Sequence, residues 1–513
     1  MENAKLAVNS LVLVLTMLLG SAHALAKQSS EQIELLSHTV ETEFRLTHPI
    51  LSVDLTASPG KELVAIGVDD NQSRWLSLYE FNQTSGQYGQ KFKQRLPNAF
   101  FSFDLTKPSE RFPQQAAALY FQSSEQLFQL VVSDEGLEFE PKQSIAPLIL
   151  KSRVDFISRG DFVHDLNQDG LDDFVINSFS QTELLLAQAE GDVIRQILPI
   201  KPQVLLYRDG ARYTQAILYF ADMDLDGRND IVKIAEGEFE VYAQQENGQF
   251  DTVARFVPVS LAISGVNWWN KRDAYGEELD QSDLIYRKVE QLQDINNDGL
   301  VDMIVRYTKS SGVLDRVNDY EIYLGQNTLA KLQFPKKPDS VIRADGTLTG
   351  FELVDIDGDK RDEVMVSGFD IGLSQIIGAL VSGGIDQDVH LFKMNAESGY
   401  ANKANVSKEV ELSFSLTSGQ SGSPVVKLAD LNGDGLQDLM LSDGEQALRL
   451  YLGDGSKGLF DDDSDGFKLQ LPQEGSALVS DDLNADGKDD LIIKYGRQDS
   501  KALQYKFVVI MAQ

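Results

Sequence analysis

The chain of 513 residues has no cysteine. That excludes disulfides and a lipid-modified N-terminal cysteine. Histidine is scarce: beyond residue 26 only His38, His48, His164 and His390 remain. There is no nucleophile elbow, no zinc-binding helix motif and no phosphate-binding loop. Positive charge is also in deficit, with 46 Lys and Arg against 79 Asp and Glu, a formal charge of −33. Such a chain repels nucleic acid and anionic lipid surfaces. Long apolar runs are missing beyond the first residues, so no segment of residues 27–513 reads as a membrane-spanning helix.

Residues 1–26 read as a secretory signal peptide. Lys5 gives a weakly positive start, Leu11 to Leu19 is the apolar segment, and Ala22-His-Ala24 or Ala24-Leu-Ala26 offers the cleavage site. The expected destination is the periplasm or the cell exterior. An exported chain without disulfides needs another staple, and a bound cation can serve.

What the sequence has in abundance is one acidic pattern, repeated six times. It reads Asp-x-Asp/Asn-x-Asp-Gly-x-x-Asp. Oxygen-bearing side chains at positions 1, 3, 5 and 9, with a main-chain carbonyl at position 7, suit a hard cation that takes 6–8 oxygens in irregular geometry, as Ca²⁺ does. The candidate ligands in the first loop are Asp165, Asn167, Asp169, Leu171 (carbonyl) and Asp173. In the second they are Asp222, Asp224, Asp226, Arg228 (carbonyl) and Asp230; in the third, Asp294, Asn296, Asp298, Leu300 (carbonyl) and Asp302. The fourth has Asp355, Asp357, Asp359, Arg361 (carbonyl) and Glu363. The last two have Asp430, Asn432, Asp434, Leu436 (carbonyl) and Asp438, then Asp482, Asn484, Asp486, Lys488 (carbonyl) and Asp490. Glycine at position 6 supplies the left-handed φ of the turn, and the fourth loop departs by placing Lys360 there. Six bound Ca²⁺ would bring the charge to about −21. Mg²⁺ fits less well, because it keeps its waters.

An EF-hand needs flanking helices and a Glu at position 12. Here position 12 is Ile176, Lys233, Val305, Val366, Leu441 and Ile493, inside apolar β-branched runs typical of strands. The loops therefore connect strands. Their first positions recur at a mean interval of about 61 residues, the mark of a repeat architecture. Residues 48–98 and 99–148 read as two further cycles whose loops have lost their acids, as in Asp54-x-Thr56-x-Ser58-Pro-Gly60-Lys-Glu62. Each cycle offers about four short strands. Such repeats set radially make an all-β propeller, a single domain over 27–513. Counting cycles gives eight blades; one mis-parsed degenerate cycle would give seven. The last cycle lacks a strand, and the isolated strand within residues 32–46 is expected to supply it and close the ring.

Insertions are expected at 259–288, with Trp268, Trp269, Lys271, Arg272, Tyr275 and Glu277, and at 370–407. Paired tryptophans suit packing over a neighbouring blade or an anchoring role toward a sugar or protein. Asp461-Asp-Asp-Ser-Asp465-Gly466 mimics half a cation loop, but Leu469 at position 9 removes the closing ligand, so it reads as a solvated turn.

The six loops, with their following strands, resemble the FG-GAP/VCBS repeat family, which includes the propeller head of integrin α subunits. The resemblance covers 160–513 with good motifs and 48–148 with degraded ones, and points to a bacterial secreted member. It implies that each loop joins the first and second strands of a blade and holds Ca²⁺. Relatives include lectins and rhamnogalacturonan lyases. The expected function is an exported, monomeric, calcium-binding module or scaffold for a protein or polysaccharide ligand; the alternative is a calcium-dependent polysaccharide lyase. No catalytic residue stands out.

Overall fold

The computed structural model describes residues 33–513 except 110, 113–115, 149–156, 208–209, 274, 313–314, 345–346, 370–383, 416–419 and 456–457. The expected signal peptide lies outside the described residues. The described residues hold strands, turns and three single 3-10 turns, Trp268–Asn270, Gly475–Ala477 and Leu503–Tyr505. Among them no helix is long and apolar enough to cross a membrane.

The strands form an eight-bladed β-propeller of antiparallel sheets, each built around four strands. Blade 4 shows why the sequence folds this way. Tyr219–Ala221, Asp230–Ile234, Glu238–Tyr242 and Arg255–Pro258 pair in that order. In Asp230–Ile234, four of five residues are buried, because both faces of the blade are covered by neighbours. Eight apolar clusters fill the spaces between adjacent blades. One of them joins Leu483, Ile492, Phe507 and Val509 of blade 8 to Leu63, Ala65 and Tyr79 of blade 1, so the ring is continuous.

The ends of the chain close the ring as the strand count required. Leu35–Glu41 is the fourth strand of blade 8, antiparallel to Lys506–Ala512 from Leu35 opposite Ala512 to Glu41 opposite Lys506. Outermost strands are wet: Gln87–Arg95 alternates mostly exposed and half-buried positions. Circular closure leaves only such short edges unpaired.

Alternation of strand direction sorts the connections by face. Links from first to second strand lie on one face, with those from third to fourth. Links from second to third strand, and from blade to blade, lie on the other. All six acidic loops are first-to-second links: 165–172 runs between Val163–His164 and Asp173–Asn177, and the others follow suit. The large insertions sit on the opposite face. One was missed by the sequence reading: a hairpin of Gln203–Tyr207 and Gly210–Thr214 between blades 3 and 4. The expected insertion at 259–288 is shorter than its range, because Leu284–Gln293 is the first strand of blade 5. The expected insertion at 370–407 is likewise corrected. Gly384–Phe392 and Val406–Ser415 pair as the third and fourth strands of blade 6, and 370–383 lies outside the described residues. Their Gly-rich lead-in masked the strand periodicity. The turn at 461–464 is exposed, as its missing ninth ligand implied.

Candidate metal centre

The six loops share one backbone path. Position 4 adopts a left-handed φ in every loop: Gln168 59°, Leu225 60°, Asn297 57°, Gly358 72°, Gly433 73° and Ala485 61°. So does position 6, from 66° at Lys360 to 87° at Gly227. The glycine pattern foretold position 6. Position 4 was not legible, because five different residue types occupy it.

This path turns side chains inward. The position-1 carboxylate accepts the main-chain N–H of positions 5 and 6, at 2.9 Å each for Asp165. The same pair of bonds forms on Asp222, Asp294, Asp355, Asp430 and Asp482. The position-5 carboxylate of Asp169, Asp226, Asp298, Asp359, Asp434 and Asp486 accepts the N–H of position 7, at 2.9–3.0 Å. Thus Leu171, Arg228, Leu300, Arg361, Leu436 and Lys488 are held over the loop by their own main chain. In the loops with asparagine, the Nδ2 of Asn167, Asn296, Asn432 and Asn484 donates to the position-5 carboxylate at 2.9–3.0 Å. Its Oδ1 accepts the position-5 N–H.

Position 9 has a second task. Asp173, Asp230, Asp302, Glu363, Asp438 and Asp490 each open the second strand of their blade and are almost fully buried, at 0–1% exposure. One oxygen accepts the N–H of position 2; for Asp438 this is Leu431 at 3.0 Å. The other accepts an N–H at or just past the end of the third strand; for Asp438 this is Gly453 at 2.8 Å. Asp490 ties Leu483 to Ala512 in the same way, inside the blade that joins the two ends. Burial pushes these carboxyls up, Asp173 to about 8 and Asp438 to about 7, with the acids at positions 1 and 5 adding to the shift. A buried, crowded carboxylate of this kind is stabilised by a cation.

The two loops with four acids pass the stricter test of fit. Asp222, Asp224 and Asp226 bring one carboxylate oxygen each within 4.8 Å of one another, and so do Asp355, Asp357 and Glu363. Asp224 Oδ1 and Asp357 Oδ1 are buried without a hydrogen-bond partner. An unpartnered buried carboxylate oxygen calls for a cation. Side-chain cations already lean on these two loops: Arg228 on Asp226, Arg361 on Asp359, and Lys393 on Asp357. Lys393 was invisible in the sequence, since it lies 36 residues from its partner.

The loops are also chained around the ring. The N–H of Asp362 donates to the carbonyl of Ile295, Gln437 to Ile356, Asp489 to Asp430, and Lys61 to Leu483. Each donor is at position 8 of one loop and each acceptor at position 1 or 2 of the loop before it. The position-8 carboxylate adds a side-chain tie: Asp172 accepts the hydroxyls of Thr106 and Tyr120, at 2.6 and 2.9 Å. Order in one loop is therefore coupled to the next blade.

The histidines are not gathered at any one place. His48 is buried, bonded to the Ile157 carbonyl at 2.7 Å, and burial pushes it down to about 4. His164 packs against Phe220 with ring centroids 4.7 Å apart. His38 stacks on Tyr88, and His390 bonds to Ser407 at 2.8 Å.

The sequence matches no protein-family model and no curated protein. Solved structures of similar shape include the Dos1 propeller, at 9% identity and TM-score 0.38, covering 93% of this chain and 95% of that one. A lectin of Agrocybe aegerita that recognises non-reducing terminal N-acetylglucosamine aligns at 14% identity and TM-score 0.37, over 82% of this chain and 94% of that one. The biofilm matrix protein Bap1 of V. cholerae aligns at 12% identity and TM-score 0.36, over 93% of this chain and 90% of that one.

Proposed function

We propose that this chain is an exported, calcium-holding propeller of the FG-GAP/VCBS type that serves as a binding module for a protein or a glycan. The observation that carries the metal is the pair of buried, unpartnered oxygens on Asp224 and Asp357, each inside a cluster of acids. In each loop the cation would be held by positions 1, 3 and 5, the position-7 carbonyl and the spare lone pairs of position 9. Bound Ca²⁺ supplies charge compensation and loop order, and this reading needs no chemistry from it.

Two features support binding at the face away from the loops. The connections there are long, and they expose apolar side chains: Leu206 is 63% exposed, Trp269 47% and Tyr275 89%. Surface aromatics on a rigid scaffold are the usual anchors of recognition. The loop face instead presents acids already engaged with main-chain N–H groups.

The test is a capture experiment. Mature protein is immobilised in Ca²⁺ and exposed to an extract of the source cell envelope, then eluted with chelator. A stoichiometric protein or polysaccharide in the eluate supports the reading. Unsaturated sugar ends after incubation with pectic polymers would replace it with a lyase. A calcium titration that detects no bound metal would remove the cofactor.

A further inference from the structure

A cleft of about 390 Å³ opens on the insertion face, between blades 5 and 6. The 3-10 turn Trp268–Asn270 forms one wall. Trp268 is buried and Trp269 is half-exposed, and their rings meet edge to face with centroids 5.4 Å apart. Arg306 lies over the Trp269 ring at 5.2 Å and Arg316 over the Trp268 ring at 5.7 Å. Asn318 and Thr349 add polar groups to the lining.

The charge of this cleft opposes that of the chain. Acids outnumber bases 79 to 46 overall, yet two arginines and no acid line the cleft. Glu290 stands behind Arg306 at 3.2 Å and is shared with Lys288, which leaves the group net positive. Arg316 pairs with no carboxylate among the described residues. The adjoining cavity, under the 203–214 hairpin, differs: there Lys271 is paired with Glu236 and Lys233 with Glu240.

We propose that this cleft is a subsite for an acidic sugar. It deepens the binding-module reading and rests on it. The aliphatic face of a pyranose ring stacks on the open side of Trp269, since one face is taken by Arg306. The C5 carboxylate of a uronic acid meets Arg316, whose planar fork matches it. Asn318 and Thr349 take ring hydroxyls. Dense polyanions are disfavoured by the formal charge of −33 on the chain as a whole. A ligand with one carboxylate among several neutral sugars is not, because a surface charge is screened beyond about 8 Å in physiological salt.

The test uses a matched pair of probes: an aldotetraouronic acid (one 4-O-methylglucuronate on xylotriose) and neutral xylotetraose. Binding to the full, calcium-saturated chain is followed by titration calorimetry and tryptophan fluorescence. The expected result is an affinity for the acidic probe at least about tenfold above the neutral one. Trp269→Ala and Arg316→Gln should each reduce it about tenfold or more while the melting midpoint stays put. Val253→Ala, in the exposed link between the third and fourth strands of blade 4 on the loop face, should leave it unchanged. Equal affinity for the two probes, or acid-selective binding that survives both cleft variants, overturns the subsite and leaves the module reading in place. No binding of either probe, with a protein captured from the envelope extract, overturns the subsite alone. No binding and no capture overturn both.

Discussion

The loop of blade 1 and the six acidic loops solve one problem in two ways. Both must hold a first-to-second connection over a buried carboxylate. In blade 1 that carboxylate is Glu62, 1% exposed, at the ninth position counted from Asp54. It accepts the N–H of Leu55 and Thr56 at 2.8 and 3.2 Å, and the hydroxyls of Thr56 and Ser58, the latter at 2.6 Å. Positions 3 and 5 therefore donate to position 9 directly. In the six loops the same positions carry oxygens that accept, and on the proposed reading a cation lies between them. Pro59 makes the difference permanent. It stands at position 6, where proline cannot take a left-handed φ, and the left-handed residue moves to Gly60 at 83°. What looks like a decayed metal site is a self-sufficient one. On the proposed reading, the six acidic loops have their order tied to metal.

The strongest way to break this comparison is to remove the ninth residue on both sides. Glu62→Ala strips four donors of their acceptor and should cost about 3 kcal/mol, equally in Ca²⁺ and in chelator. Asp438→Ala should cost a similar amount in chelator and more in Ca²⁺, because it also removes a ligand. Denaturant melts in both conditions check this; equal losses for Asp438→Ala would remove position 9 from the metal shell.

A milder change separates metal from scaffold. Asp226→Ala or Asp434→Ala takes a position-5 ligand while leaving the buried clasp intact. Each should lower stability by about 2 kcal/mol at saturating Ca²⁺ and by little in chelator. A loss that is the same in both would mean these acids act only through their main-chain hydrogen bonds.

The pH dependence should invert with metal. The ninth-position carboxyls are pushed up by burial, to about 8 at Asp173, about 6 at Asp230 and about 7 at Asp302. A carboxyl raised in the folded state binds a proton more tightly there than in the unfolded chain, so its contribution to stability is full at low pH and is lost as pH rises through the folded value. In chelator the melting midpoint should therefore rise as pH falls from about 8 to about 5. In Ca²⁺ it should fall over the same window, because protons compete with the metal.

The smallest expected effect lies at Lys360, the one residue with a side chain at position 6 of the six acidic loops, at φ 66°. Lys360→Gly relieves the left-handed strain and should raise stability by about 1 kcal/mol. No gain in the melt would mean that the lysine side chain contributes a contact of equal worth.

The legible part of this molecule was its periodicity. Acids at fixed spacing, each followed by a β-branched run, gave the strand order of six blades, and the one strand lacking in the last cycle gave the closure by residues 35–41. The illegible part depends on what the chain brings together from afar. Lys393 against Asp357, Asp172 against Tyr120, and Arg316 over Trp268 join residues with no common pattern. Glu62 was visible as a letter, but its role follows only from the four donors that converge on it. The hairpin at 203–214 was passed over because its alternation, Val204, Leu206 and Tyr213, mimics a blade strand.

Peptide-resolved hydrogen exchange, with and without chelator, tests the central claim most directly. On chelation, amides at positions 5 to 7 of the loops beginning at Asp165, Asp222, Asp294, Asp355, Asp430 and Asp482 should exchange faster, while those of 54–62 keep their protection. An unchanged pattern in all six loops, or an equal loss in 54–62, would contradict it.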